Sequence, residues 1–167
     1  MIVNKFVPRK PDYKFLIGID TDLHKSGVAA WNFDDQKWEI HRAIANENLV
    51  EELLKIFPPA QSTIYLEAGW LVHKKNFRGG NFRTAQRKAS DVGQNAGTGK
   101  MLVKMLQKVG YRVFIFEPLG KGRGTLKGID GRWTVLGKKH IIDISGITSS
   151  INDDTRDAIY IVNHFRG

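Results

Sequence analysis

The apolar segment FLIGID at residues 15–20 constrains the fold more than any other feature of the sequence. Its lack of an alternating polar face is typical of a strand that other elements of an α/β sheet cover on both sides. We therefore predict a buried strand over residues 14–20. Two acids, Asp20 and Asp22, follow at its end, where α/β sheets usually place their binding or reaction sites.

The rest of the chain is divided into strands and helices, without an internal repeat or a domain linker. Further strands are expected over residues 27–33, 37–43, 62–68 and 111–116. Helices are expected over residues 48–57, 90–109 and 138–145, and from Ser149 or Ser150 to residue 165. Asn48 and Glu51 are expected to form a capping box at the first of them. This order predicts an irregular arm at residues 1–13 and one α/β domain over residues 14–167, with an antiparallel start followed by βαβ crossovers.

The composition indicates a globular protein of the cytoplasm. Its 167 residues suffice for one domain, and hydrophobic residues make up 41% of them. Cysteine is absent, which excludes disulfides, thiolate zinc sites and thiol nucleophiles. No apolar run reaches the roughly 20 residues of a membrane span, and residues 1–14 lack the apolar stretch of a signal peptide. We therefore expect no membrane partner.

Positive charge is concentrated in two segments of the sequence. The formal net charge is +9, which suggests a polyanionic partner such as nucleic acid, although surface lysine can also serve solubility alone. Residues 70–90 and 119–140 each contain six Lys or Arg, and Asp130 is the one acid in these two segments. We predict that both are loops that bind the DNA backbone. The candidate DNA-binding residues are Lys74, Lys75, Arg78, Arg83, Arg87, Lys88, Lys121, Arg123, Lys127 and Arg132.

Two predicted strand ends are expected to bring carboxylates together. Asp20 ends the first strand, and Glu67 lies at the end of the strand predicted over residues 62–68. The carboxyl ends of parallel strands meet at one edge of a sheet, near the point where the connections change direction. Two carboxylates at this edge would repel each other, and a divalent cation between them makes the arrangement tolerable.

The last predicted helix has two further acids on its apolar stripe. In the segment INDDTRDAIYIVNHF, Asp154 and Asp157 share a face with Ala158. Acids in a first turn can simply complement the helix dipole, which accounts well for Asp153 and partly for Asp154. Asp157 lies one turn further in, and a carboxylate on an apolar stripe needs a compensating partner. We therefore expect Asp154 and Asp157 to be metal ligands.

Four other residues each admit two interpretations. Asp22 is either an alternative to Asp20 as a metal ligand or a residue that shapes the turn after the first strand. Trp70, Phe77 and Phe82 either stack on unpaired bases or pack within the protein.

Several short motifs follow one another in a characteristic order along the chain. They are GID at residues 18–20, Glu67, VGQNAG at residues 92–97, and GKKHIIDISGITSSINDDTRDA at residues 137–158. Together they resemble the RNase H-like nuclease superfamily, and within it the RuvC-type Holliday junction resolvases, especially those of bacteriophages. The resemblance covers roughly residues 15–162. The chain departs from the RuvC pattern at Thr21-Asp22, where Pro-Gly is usual, and residues 119–136 do not align.

The resemblance implies a definite architecture and catalytic centre. The sheet would be mixed and five-stranded, with three antiparallel strands, then two parallel ones, and helices on both faces. The implied catalytic and metal-binding residues are Asp20, Glu67, Asp154 and Asp157, which would hold two Mg²⁺ ions, replaceable by Mn²⁺. Lys138 or Lys139 is expected at the scissile phosphate. The implied assembly is a homodimer.

The expected activity is that of a Mg²⁺-dependent, structure-selective endodeoxyribonuclease. It would resolve Holliday junctions or other branched DNA by two-metal phosphodiester hydrolysis, in the cytoplasm of a bacterial or phage-infected bacterial cell. Two alternatives are a nuclease that acts on RNA–DNA hybrids and a catalytically inactive, basic nucleic-acid-binding module.

Overall fold

The computed structural model describes residues 11–72, 82–122 and 124–167. For residues 82–85 and 87–89 it describes the backbone only. Most of the predicted arm over residues 1–13 therefore lies outside the described residues. Where the described chain begins, Tyr13 contacts Phe33 edge to face, with ring centroids 5.8 Å apart.

The described chain forms five strands and four α-helices. The strands are β1 (Phe15–Asp20), β2 (Lys25–Asn32), β3 (Lys37–Ala45), β4 (Ser62–Glu67) and β5 (Arg112–Phe116). The helices are α1 (Asn46–Ile56), α2 (Phe82–Lys108), α3 (Val135–Ser145) and α4 (Asp153–Arg166). Single-turn 3-10 helices at Pro59–Gln61 and Gly69–Leu71 flank β4. Of the described helices, none is long and apolar enough to cross a membrane.

The strands form one mixed sheet in the spatial order β3-β2-β1-β4-β5. β2 pairs antiparallel with both β1 and β3. A short turn joins β2 to β3, and within it Asn32 Oδ1 accepts hydrogen bonds from the backbone N–H groups of Asp34 and Asp35. β4 and β5 extend the sheet in parallel with β1, and each is reached by a helical crossover. The predicted α/β architecture is confirmed.

Helices cover both faces of the sheet and enclose two apolar cores. On one face α1 and α2 bury residues that include Leu49, Leu53, Leu102 and Leu106. On the other face α3 and α4 bury residues that include Ile141, Ala158, Ile159 and Val162. Side chains of a strand alternate between faces, so Ile17 of β1 enters the first core and Leu16 enters the second. Because both faces of β1 are covered, its polar residue Asp20 lies at its end.

Two predicted helix starts were wrong. α1 begins at Asn46 with no side-chain cap, so Asn48 and Glu51 do not form the predicted capping box. The chain enters α1 directly from β3, and the Asn46 side chain instead donates to the carbonyl oxygens of Asp22 and Leu23. α2 begins at Phe82, so residues 82–89 are helical and not part of a basic loop. That stretch, FRTAQRKA, has no Gly or Pro and is rich in helix-forming Arg, Gln, Lys and Ala.

The last two helices also begin at residues other than the expected ones. α3 starts at Val135, with the Thr134 hydroxyl accepting a hydrogen bond from the Gly137 N–H at 2.9 Å. It ends at Gly146, whose φ of 72° gives the left-handed C-cap that glycine favours. α4 is capped by Asn152, whose Oδ1 accepts from the Thr155 N–H at 2.9 Å. α4 therefore begins after Asn152, and not after Ser149 or Ser150.

Candidate nuclease site

Asp20 and Glu67 end adjacent parallel strands in directly paired positions. Asp20 is the register partner of Glu67 across the β1–β4 ladder. Burial and the negative charges of Asp157 and Glu67 together raise the pKa of Asp20 well above its usual value. The predicted convergence of the two strand ends is therefore present in the structure, and it is electrostatically costly.

α4 brings two more acids to the same edge because two glycines let it approach the sheet. A Cβ on Gly18 of β1 would lie 2.7 Å from the Ala158 carbonyl oxygen, and one on Gly27 of β2 would overlap the Asp154 backbone. The close approach carries Asp157 down beside the strand ends, where it is only 3% exposed. Asp154 remains half-buried at the start of the helix. We call Asp20, Glu67, Asp154 and Asp157 the acidic edge.

Two lysines enter the acidic edge from residues 117–134, which we call the lysine loop. Lys121 Nζ lies 3.3 Å from Glu67 Oε2 and 3.1 Å from Asp157 Oδ1, and its side chain is 9% exposed. Lys127 Nζ lies 2.6 Å from Asp157 Oδ2. Burial lowers the pKa of Lys121, but the charges of Asp157 and Glu67 outweigh it and leave the pKa above its usual value. Buried carboxylates need cationic partners, and these ammonium groups supply them.

The lysine loop is anchored to β4 and to α4 immediately before Lys121. The Leu119 N–H donates to Glu67 Oε2 at 3.3 Å, and the Tyr160 hydroxyl donates to the Gly120 carbonyl at 3.0 Å. Further along, Lys127 and Trp133 form an antiparallel bridge. These contacts fix the lysine loop over the acidic edge, with Lys121 inside it.

Asp22 and Asp153 lie at the periphery of the acidic edge. Asp22 is exposed, and its carbonyl oxygen accepts from Asn46 at 2.7 Å. Burial and the charges of Asp22 and Asp157 raise the pKa of Asp154. Asp153 instead accepts from Arg156 at 2.6 Å and from the Trp133 N–H at 3.4 Å. Asp22 therefore combines a place in the turn with an electrostatic influence on Asp154.

The structure does not bring the predicted lysines of α3 into the acidic edge. Lys139 Nζ pairs with Asp143 at 2.8 Å one helical turn away, and Lys138 is exposed. Lys121 and Lys127, which were predicted from the sequence to bind the DNA backbone, contact the carboxylates of the acidic edge instead. Their order in the Gly-rich segment GKGRGTLKG has no helical or strand period, and so no pattern in the sequence could have located them there.

Many of the predicted DNA contacts lie where side chains are not described. Lys74, Lys75, Phe77, Arg78 and Arg123 are outside the described residues. Arg83, Arg87, Lys88 and Phe82 belong to the start of α2, whose backbone alone is described there. Arg132 is exposed near the end of the lysine loop.

Trp70 lies within a cleft between the acidic edge and α2. The cleft has a volume of about 650 Å³. Its lining includes Asp20, Glu67, Trp70, Val92, Gly93 and Ala96. Trp70 also packs on α2, where a Cβ on Gly99 would lie 2.3 Å from its ring. It therefore has a packing role and also faces the space beside the carboxylates.

The carboxylate oxygens of the acidic edge suit a hard cation, although two of the four acids, Glu67 and Asp157, are paired with lysine in this structure. In the described ranges 11–72, 82–122 and 124–167, no three acids or histidines converge closely enough to hold a metal ion. Within the part of the chain that the structure describes, Asp157 Oδ1 is nevertheless buried without a hydrogen-bond partner, and its contact there is the ion pair with Lys121 at 3.1 Å. Carboxylate oxygens are the ligands that Mg²⁺ prefers. The chemistry of the edge therefore fits a divalent cation.

Comparison with known proteins gives a structural match without a sequence match. No family model and no curated protein matches this chain. Among solved structures, the chain is similar to T. thermophilus RuvC in complex with a Holliday junction substrate. The match has a TM-score of 0.53 and 14% sequence identity, and it covers 90% of this chain and 92% of that chain. At this identity the likeness shows the fold, and the chain therefore has the RNase H-like α/β fold of RuvC.

Proposed function

We propose that this chain is a Mg²⁺-dependent endonuclease that cleaves branched DNA, with a four-way junction as its substrate. The observation that carries the proposal is the pairing of Asp20 with Glu67 at the ends of β1 and β4, with Asp157 buried beside them. The structural likeness to RuvC, solved with a Holliday junction substrate, supports the choice of substrate.

Under this proposal the acidic edge holds the catalytic metal. Asp20, Glu67, Asp154 and Asp157 would provide the carboxylate oxygens. Two bound Mg²⁺ ions would activate a hydroxide, stabilise the charge at phosphorus and assist the leaving 3′ oxygen. Metal binding would also reduce the repulsion from Asp157 and Glu67 that contributes to the raised pKa of Asp20.

The remaining residues would position the DNA. The net charge of +9 favours a polyanionic partner. Lys127, whose side chain is 25% exposed above Asp157, would place an ammonium group near the scissile phosphate. Trp70 would stack on a base that enters the cleft beside Asp20.

We further propose that the chain acts as a homodimer. A four-way junction is resolved by two nicks, and two active sites held together would make them as a pair. The described part of α2 exposes Met101 and Met105 one helical turn apart on the same face, and such apolar surface is what a subunit interface covers.

The test is incubation of the protein with a labelled four-way junction, with and without Mg²⁺, and mapping of the products on all strands. We expect paired, Mg²⁺-dependent nicks, and we expect Asp20→Asn to bind the junction without cleaving it. An RNA–DNA hybrid of the same sequence serves as the competing substrate. Full cleavage in EDTA, or by Asp20→Asn, would exclude the metal mechanism. Preferential cleavage of the hybrid would show that the substrate is an RNA–DNA hybrid and not a four-way junction.

A second candidate function is that of a basic DNA-binding module without catalysis. The observation that favours it is the neutralisation of Asp157 by both Lys121 and Lys127. This candidate predicts junction binding that Mg²⁺ does not alter, and no nicking at any metal concentration.

A further inference from the structure

Lys121 occupies the place between carboxylates that a divalent cation would need. Its ammonium group bridges Glu67 and Asp157, which belong to β4 and α4. Glu67 and Asp157 are also the acids, besides Asp154, whose charges raise the pKa of Asp20. A cation that binds these oxygens from the cleft must therefore compete with Lys121 for them.

Two glycines place few steric restrictions on the backbone around Lys121. Glycines flank it on both sides, and Gly122 has a φ of +62° that few other residues adopt. A Cβ added to Gly120 would meet no atom of the described residues within 4 Å. The nearby backbone is anchored by hydrogen bonds from the Leu119 N–H to Glu67, from the Tyr160 hydroxyl to Gly120 and from the Leu126 N–H to the Lys121 carbonyl oxygen. The Lys121 side chain is held by its ion pairs with Glu67 and Asp157 and by the Tyr160 ring, whose centroid lies 5.7 Å from Nζ. A divalent ion that takes over these two carboxylates therefore removes both ion pairs that keep the side chain in the acidic edge.

We propose that Lys121 is a tethered cation that fills the acidic edge of the free protein and is expelled when a divalent ion binds. Expulsion places its ammonium group at the mouth of the cleft, where it can contact a DNA phosphate. The site would then hold its divalent ion most tightly when DNA is present to accept the lysine. The inference rests on the divalent-ion part of the proposed function, and it adds a coupling between metal binding and DNA binding.

With competition of this kind, the apparent metal affinity equals the affinity of the open site multiplied by the fraction of molecules in which Lys121 has left it. Lys121→Met keeps the length of the side chain and removes the competitor. We expect it to bind Mn²⁺ at least about tenfold more tightly than the wild type in a calorimetric titration without DNA. Lys104→Met is the matched control, because it removes the same charge from the exposed surface of α2. It should bind Mn²⁺ within about twofold of the wild type.

Labelling of the wild-type protein separates expulsion from simple charge repulsion, and it needs no variant to fold. Lysines are acetylated briefly with and without saturating Mg²⁺ and quantified by mass spectrometry, with exposed Lys104 as the internal reference. We expect Mg²⁺ to raise the labelling of Lys121 at least about tenfold relative to Lys104. Loss of charge repulsion alone would tighten metal binding in Lys121→Met without this rise. Unchanged labelling of Lys121 at saturating Mg²⁺ overturns the inference.

The outcomes distinguish the inference from the proposed function. Mg²⁺-dependent cleavage of the junction, with Lys121 protected at every metal concentration, overturns the inference and leaves the nuclease intact. Metal-dependent exposure of Lys121 in a protein that cleaves no DNA supports the inference and overturns the nuclease. Absence of Mn²⁺ binding in both the wild type and Lys121→Met overturns both.

Discussion

Gly27 of β2 lies directly against the backbone of Asp154, so closely that a Cβ at residue 27 would overlap the Asp154 carbonyl group. Gly27 is also the register partner of Asp20 on the neighbouring strand. One glycine therefore determines how near the start of α4 comes to the end of β1. This contact brings the acids of a helix to the acids of the strands, although the two elements are far apart in sequence.

Gly27→Ala should therefore lower the free energy of unfolding. The added methyl group must push the start of α4 away, and overpacking of this kind costs about 1–3 kcal/mol. Urea denaturation measures the change. Gly97→Ala is the control, because a Cβ there meets no atom within 4 Å among the residues that the structure describes, and alanine is favoured over glycine in a helix by roughly 0.5–1 kcal/mol. Equal stability of the two variants would contradict the close contact.

Asp20→Asn should stabilise the metal-free protein at neutral pH. The folded state raises the pKa of Asp20, so folding favours its neutral form, which asparagine imitates. We expect a gain of about 0.5–2 kcal/mol, measured by urea denaturation in EDTA. The gain should be absent below the ordinary pKa of 3.8, should grow as the pH rises above that value, and should stop growing once the pH exceeds the folded-state pKa.

The control for this gain is Asp143→Asn, which removes an exposed carboxylate that pairs with Lys139 on the surface of α3. Its effect should stay within about 0.5 kcal/mol at each pH. A destabilised Asp20→Asn protein at neutral pH would show that Lys121 compensates the charge of Asp20 more fully than the raised pKa indicates.

Tyr111→Phe should destabilise the protein through loss of one buried hydrogen bond. The Tyr111 hydroxyl donates to the Phe57 carbonyl oxygen at 2.6 Å and joins the end of α1 to the start of β5. Leaving a buried carbonyl without its donor costs about 1–3 kcal/mol. Thermal unfolding followed by circular dichroism at pH 8 measures this difference.

The same variant has a defined pH dependence. Burial raises the pKa of Tyr111 from 10.0 to about 12, so the stabilisation that the hydroxyl provides is complete below pH 10 and is lost as the pH rises through about 12. The stability difference between wild type and Tyr111→Phe should therefore shrink over that interval. A difference that stays constant from pH 8 to pH 11.5 would argue against a protonated, hydrogen-bonded hydroxyl.

Lys127→Met and Lys139→Met should separate two predictions for the lysine that serves the phosphate. Lys127 contacts Asp157, and removal of a group that supports a metal ligand costs about 10-fold to 100-fold in activity. Lys139 pairs with Asp143 on α3, and its loss should change junction cleavage by less than about threefold. Initial rates of nicking at saturating Mg²⁺ give the comparison. The reverse order would return the catalytic role to α3.

The sequence by itself determined the elements and the ends of the strands. The apolar run before Asp20 predicted a covered strand, and the spacing of Asp154, Asp157 and Ala158 predicted one face of a helix. These features depend on local periodicity, which neighbouring residues define. The motif order also predicted the five-stranded sheet. The starts of all four helices differ from the predicted ones, because helix boundaries depend on caps and packing that local periodicity does not define.

Only the tertiary structure decided which cations meet the acids. Lys121 lies 54 residues from Glu67, and Lys127 lies 30 residues from Asp157. The lysine loop between β5 and α3 has no period, and its path depends on contacts with α4 through Tyr160. The helix that carries Lys138 and Lys139 could be predicted from the sequence, but a buried carboxylate pairs with the ammonium group that the folded chain brings to it.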